Sequence, residues 1–167
     1  RDIAPLVWVS SNAQGSRQVL IAQGYNGVPV SSTALVNALQ SYTVVSDATS
    51  MNFQIQNQTW VVLTFPTEDV TWAWNGEGWF RLGYWNTRTS TYEAWRVRTH
   101  VFTADGVHFM GDRASGVFYR MAIGLYTDVN GAIILRERTP PRLSAPGQVR
   151  FIVPSIQLVM DVGVGVI

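Results

Sequence analysis

The chain has 167 residues, of which 47% are hydrophobic, 12% aromatic and 14% charged. It contains no cysteine and no lysine, so all 12 basic residues are arginine, and the formal net charge is +1. These counts exclude a disulfide framework, a cysteine-ligated metal, a thiol nucleophile, a Schiff-base lysine and a Walker-type phosphate lysine, and the apolar content is too high for a disordered chain.

The small net charge hides an asymmetry. Residues 1–80 carry 2 Arg against 5 Asp and Glu, a net of −3, and residues 81–167 carry 10 Arg against 6 Asp and Glu, a net of +4. Such a split fits a polyanion-facing surface, a subunit contact or an ordinary mixed surface. The chain starts at Arg1 with no secretory signal pattern, and its uncapped apolar end runs through Gly163-Val164-Gly165-Val166-Ile167. Both features lead us to expect a piece of a longer protein. No apolar run approaches the roughly 20 residues of a membrane span.

Strand signals begin at Val7-Trp8-Val9 and Gln18-Val19-Leu20-Ile21, and Gly24-Tyr25-Asn26-Gly27 reads as a turn. One helix follows. Ser32 or Thr33 can cap it, since a short hydroxyl side chain accepts from free N–H groups of the first turn. Leu35, Ala38, Leu39 and Tyr42 then share one helical face. Gln58–Phe65 is rich in β-branched and aromatic residues and stops at Pro66. Val70–Trp74 alternates and ends at Asn75-Gly76, and a third strand follows over 79–82. The three form an antiparallel meander joined by turn residues. The same rhythm returns over 98–102, 107–110 and 116–121.

The meanders start near Val7, Phe53 and Thr99, a spacing of about 40–50 residues that is typical of propeller blades. The expected fold is therefore all-β: a partial β-propeller of two to three antiparallel blades, with one short helix and C-terminal β-strands. Residues 1–132 are expected to form the blades. Residues 133–167 supply strand candidates at 133–138, 149–153 and 156–160, broken by Pro140-Pro141 and Pro154.

Little in the sequence points to catalysis. His100 and His108 lie eight residues apart across an expected turn, and without a third ligand at a metal-binding spacing they are read as strand-end residues. Asp105-Gly106 and Asp128-Val129-Asn130-Gly131 lack the ligand alternation of a calcium loop and are read as turns. No carboxylate pair stands out for glycoside hydrolysis. The stretch 67–72 lacks the glycine that the Asp-turn-Trp element of sialidase propellers needs. No cofactor is expected.

Binding signals are stronger. Trp72, Trp74, Trp79, Trp85 and Trp95 fall within 24 residues, and Trp72 and Trp74 share one face of a strand. They serve either a stacking surface or the contact between sheets. Arg96, Arg98, Arg136, Arg138, Arg142 and Arg150 either line a path for polyanion or pair with carboxylates at a subunit interface.

Five strings in order resemble a known family. They are Trp60-Val61-Val62-Leu63-Thr64-Phe65-Pro66-Thr67 followed by Thr71-Trp72, Val28-Pro29-Val30-Ser31-Ser32-Thr33-Ala34-Leu35, Gly111-Asp112-Arg113-Ala114-Ser115-Gly116-Val117-Phe118-Tyr119, Tyr126-Thr127-Asp128-Val129-Asn130-Gly131 and Met160-Asp161-Val162-Gly163-Val164-Gly165. They resemble landmarks of the packaged-DNA stabilisation proteins of short-tailed bacteriophages, the tail hubs or nozzles. Thr59-Trp60 departs from the histidine–tyrosine pair usual at that place. Members of the family are much longer, so the chain resembles their later blades.

The resemblance implies a non-enzymatic β-propeller subunit of the virion tail. It implies a homo-oligomeric, six-fold ring below the portal and its adaptor protein, which continues the channel for genomic DNA, retains the packaged DNA, and carries tail spikes or fibres and a needle or plug. The residues themselves leave two other readings open: a carbohydrate- or receptor-binding propeller module, and a propeller glycosidase acting on host surface sugars.

Overall fold

A computed structural model describes residues 5–128, 131–132, 134–139, 154–155 and 157. The chain divides into two compact units, Arg1–Ile123 and Gly124–Ile167. The first unit contains three antiparallel sheets and one helix.

The first sheet joins β1 (Val7–Ser11), β2 (Arg17–Gln23) and β3 (Asn26–Pro29) through consecutive hairpins. Val9 pairs with Val19, and both turn toward the core. The expected turn at 24–27 is shorter than its four residues, because Asn26 and Gly27 already pair with Gln23 and Ala22.

Helix α1 (Thr33–Ser41) follows as expected, and Ser32 is its cap: the Ser32 hydroxyl accepts from the Leu35 N–H at 3.3 Å. Leu35 and Leu39, one turn apart, are fully buried. At the other end the Arg17 guanidinium donates to the carbonyls of Leu39 (2.9 Å) and Tyr42 (2.6 Å). Those carbonyls belong to the helix C-terminus, whose partial negative charge favours a cation. A nine-residue helix has little intrinsic stability, so its caps and packing hold it. Ser32→Ala is expected to lower stability by about 1 kcal/mol in a denaturant titration. An unchanged midpoint would show that Leu35 and Leu39 suffice.

The middle sheet is a five-stranded meander of β4 (Thr49–Ile55), β5 (Gln58–Phe65), β6 (Val70–Trp74), β7 (Trp79–Asn86) and β8 (Thr91–Ala94). It has two more strands than the sequence signals suggest. β4 alternates polar residues, and its turn to β5 has neither Gly nor Pro. Gln56 and Asn57 instead take left-handed angles (φ 51 and 59), the pattern of a two-residue hairpin turn. β8 has only four residues and no apolar run.

Alternation along β5 and β6 produces two cores. Leu63, Phe65 and Trp72 face Val19, Leu35 and Leu39 of the first sheet and helix. Val62 and Ala73, with Phe53 of β4, face Val97 and Met110 of the third sheet. Residues 61–65 are consequently all buried, and this stretch is the strongest strand signal in the sequence. The third sheet is β9 (Val97–Phe102), β10 (His108–Asp112) and β11 (Phe118–Met121), in the order β11-β10-β9. Three sheets stacked face to face through aromatic and aliphatic layers are the packing of propeller blades.

The strand expected over 133–138 does not form at its described residues. Residues 134–139 have no regular structure and are all exposed. The charged run Arg136-Glu137-Arg138 offers no apolar face to bury. The candidates at 149–153 and 156–160 lie outside the described residues, apart from Gln157.

Candidate functional site

A densely bonded carboxylate, Asp112, lies on the third sheet where it meets the middle one. The register of β10 against β9 shifts between Gly111 and Asp112, and a bulge of this kind re-aims a side chain. The Asp112 carboxylate is wholly buried. One oxygen accepts from the backbone N–H groups of Ala114 (2.7 Å) and Ser115 (2.9 Å), closing the turn into β11. The other accepts the Tyr119 hydroxyl and pairs with Arg96 Nε at 3.2 Å. Burial alone would push the Asp112 carboxyl up. The Tyr119 hydroxyl, the two N–H groups and Arg96 outweigh it and hold the carboxyl down at about 2. Arg96 is more firmly charged than usual: burial opposes its charge, but Tyr119 and Asp112 more than offset this.

The neighbouring contacts extend the joint. The Arg96 guanidinium lies 4.9 Å from the Tyr84 ring centre on β7. The Arg96 carbonyl accepts from the Arg113 N–H at 2.7 Å. The Arg113 side chain reaches back to Asp69 at 2.9 Å, and Asp69 also accepts from the Ala94 N–H. Buried Thr71 accepts from the Trp95 N–H and bonds Thr64. Gly111 leaves room here for the Thr99 hydroxyl, which an added Cβ would force to move. An open cleft of about 390 Å³ lies over this joint, lined by Tyr84, Arg88, Glu93, Arg96 and Arg113 among others.

Among the arginines singled out from the sequence, Arg96 sits in this joint, and Arg98 is exposed on β9. Arg136 and Arg138 are exposed in the second unit, and Arg142 and Arg150 lie outside the described residues. The six are therefore spread over both units and beyond the described residues. Trp72 is buried in the first core, with its indole N–H donating to the Tyr42 hydroxyl at 3.0 Å. Trp74 is half-buried and stacks on Trp79, whose N–H donates to the Val30 carbonyl. Trp60 and Trp95 pack on Phe53, and Trp85 packs on Tyr92.

The two histidines meet. His100 Nε2 and His108 Nδ1 are 2.9 Å apart, with their rings stacked. Sequence spacing placed them across a turn, but their contact needs the sheet register, in which His100 pairs with Met110 and His108 with Phe102. Burial, then the neighbouring His108, pushes His100 below the ordinary histidine value. No group of three or more His, Cys, Asp or Glu suited to a metal forms among the described residues.

Several carboxylates hold backbone in place. Glu68 accepts from the N–H groups of Thr43 and Val44, and Asp47 accepts from the N–H of Thr67. Neither these roles nor the Arg17 cap was legible in the sequence, since each spans 20 residues or more.

The family described as "Bacteriophage P22 Gp10, beta-propeller", a phage-stabilisation family, matches residues 4–123. The chain belongs to this family. No curated protein matches it. The matched region ends at Ile123, where the first unit ends. Membership places the chain among structural proteins of the bacteriophage tail with a DNA-stabilising role, and its blade-like sheets are those of the family's β-propeller. Three of the five landmarks, at 28–35, 60–72 and 111–119, lie within the match, while those at 126–131 and 160–165 lie beyond it. The structure gives the 111–119 landmark a physical meaning. Its glycine admits Thr99, its aspartate closes the turn, and its tyrosine bonds the aspartate. No helix among the described residues is long and apolar enough to cross a membrane.

Proposed function

We propose that this phage-stabilisation chain builds the wall of a tail hub. Identical copies form a ring, six-fold by family resemblance, below the portal-side adaptor. The ring continues the channel for genomic DNA and carries spikes or fibres and the needle or plug. Residues 1–132 supply blades of that wall, and 133–167 lead into a further β portion. The chain acts by assembly, without catalysis.

One observation carries this reading. The family landmark at 111–119 is engaged in locking two sheets together, with its aspartate buried behind Arg96 and Tyr119. A group so placed makes a rigid part for assembly, and it has no free valence for substrate. The basic residues beyond the blades, Arg136 and Arg138, are exposed and offer contacts to neighbours.

Cryo-electron microscopy of the native particle is expected to show the chain in a ring at the tail vertex. Arg136→Ala and Arg138→Ala are expected to reduce ring formation in native mass spectrometry. DNA affinity that fell steeply with salt and was lost in the same variants would instead assign these arginines to the channel. A chain that stays monomeric alongside portal-side partners overturns the reading.

A further inference from the structure

We propose that His100 and His108 form a two-imidazole chelate for one divalent transition-metal ion of the zinc, copper or nickel class. They are the only two histidines in the chain. They stand on adjacent strands of the third sheet as a diagonal pair, two residues off register and on one face, with His100 Nε2 and His108 Nδ1 2.9 Å apart. Metal–imidazole bonds are about 2.0–2.1 Å long, so two ligands at a right angle on one ion lie about 2.9 Å apart. The rings need only tilt from facing each other to facing a common point.

The surroundings suit this role. His100 also hydrogen-bonds the backbone of Asn52 on β4. Since its Nε2 faces His108, the donor to Asn52 is Nδ1–H, which leaves the Nε2 lone pair for a ligand. A metal-ligating histidine commonly fixes its tautomer through such a bond to a backbone carbonyl. His108 then donates its Nδ1 proton to His100. Metal binding takes its other tautomer: the proton leaves Nδ1 for Nε2 by way of solvent, with no net release. An open cleft of about 430 Å³ adjoins the pair, lined by Asn52, Gln54, Asn57 and Phe102 among others. It has room for waters or amide oxygens to complete the coordination shell. The lining contains no carboxylate. Neutral nitrogen ligands favour borderline transition metals, whereas calcium and magnesium require hard oxygen donors. A bound ion would clamp β9 to β10 and, through Asn52, the third sheet to the middle sheet.

The test uses the chain without an affinity tag, since the pair must be the only imidazoles present. At about 100 times its Kd, zinc is expected to raise the thermal midpoint by roughly 5–10 °C, and magnesium at the same concentration to leave it unchanged. A chelate needs both ligands, so His100→Gln and His108→Gln should each abolish the whole shift. Electron paramagnetic resonance of the copper-loaded wild type should show two coordinated imidazole nitrogens, a readout that does not depend on the variants folding. No zinc shift, a shift that survives in either variant, or a spectrum with one nitrogen overturns the proposal.

Discussion

Asp112→Ala is expected to cost about 2–4 kcal/mol in urea unfolding, a large share of the roughly 5–15 kcal/mol that holds a typical domain together. The loss has separate physical parts. Arg96 keeps its charge with its ion-pair partner gone, and the Tyr119 hydroxyl loses its acceptor. The N–H groups of Ala114 and Ser115 lose the bonds that close the turn into β11. Arg96 is one-third exposed and water partly compensates it, so most of the cost falls on the hydrogen bonds that the buried carboxylate accepts. Asp112→Asn keeps the shape and one acceptor oxygen, so it should fall between wild type and alanine. A loss below about 1 kcal/mol for Asp112→Ala would show that the two sheets are held by apolar contact alone.

The same carboxylate predicts the response to acid. Its value in the fold is about 2, below the ordinary 3.8. The unfolded chain therefore takes up this proton at higher pH than the folded one. The stabilisation is fully present above about pH 4 and is lost as pH falls toward 2. It amounts to about 1–2 kcal/mol once solvent screening is allowed for. Asp47, held low by the hydroxyl and N–H of Thr67, acts with the same sign. Stability from Asp112 should be flat between pH 5 and 8, and the acid slope should shrink in Asp112→Asn.

What the sequence made legible was local. Gln58–Phe65 reads as a strand because both of its faces are buried, so nearly every residue is apolar or β-branched. Ser32 reads as a cap because its partner is three residues away. The start of the second meander near Phe53 falls in β4, but its bounds escaped because Gln56 and Asn57 turn the chain without glycine, and β8 escaped because four residues carry too little pattern. The joint at Asp112 is a mixed case. The spacing of Gly111, Asp112 and Tyr119 is visible as a motif, whereas Arg96 joins it only through the pairing of β9 with β10. The contact of His100 with His108 likewise needs one specific register, and a slip of one residue would place them on opposite faces.

Trp72→Ala separates the two meanings of a tryptophan-rich segment. Trp72 is 7% exposed, packs with Phe65, Leu63 and Leu39, and donates its indole N–H to Tyr42. Truncating such a residue leaves a large cavity in the first core and is expected to cost about 3–5 kcal/mol. Trp72→Phe retains most of the apolar contact and loses the bond to Tyr42, so a smaller loss of about 1–2 kcal/mol is expected. A glycan-stacking tryptophan would behave in the opposite way, because it presents an open ring face: its removal abolishes binding and leaves the unfolding midpoint in place. Trp74 makes the comparison internal, being half-buried against Trp79 on the same strand face. If Trp72→Ala unfolds readily and Trp74→Ala does so less, the cluster is a gradient of burial between two sheets. Glycan-array binding that disappears in both variants, with both still folded by circular dichroism, would move the tryptophans from the core to a ligand surface.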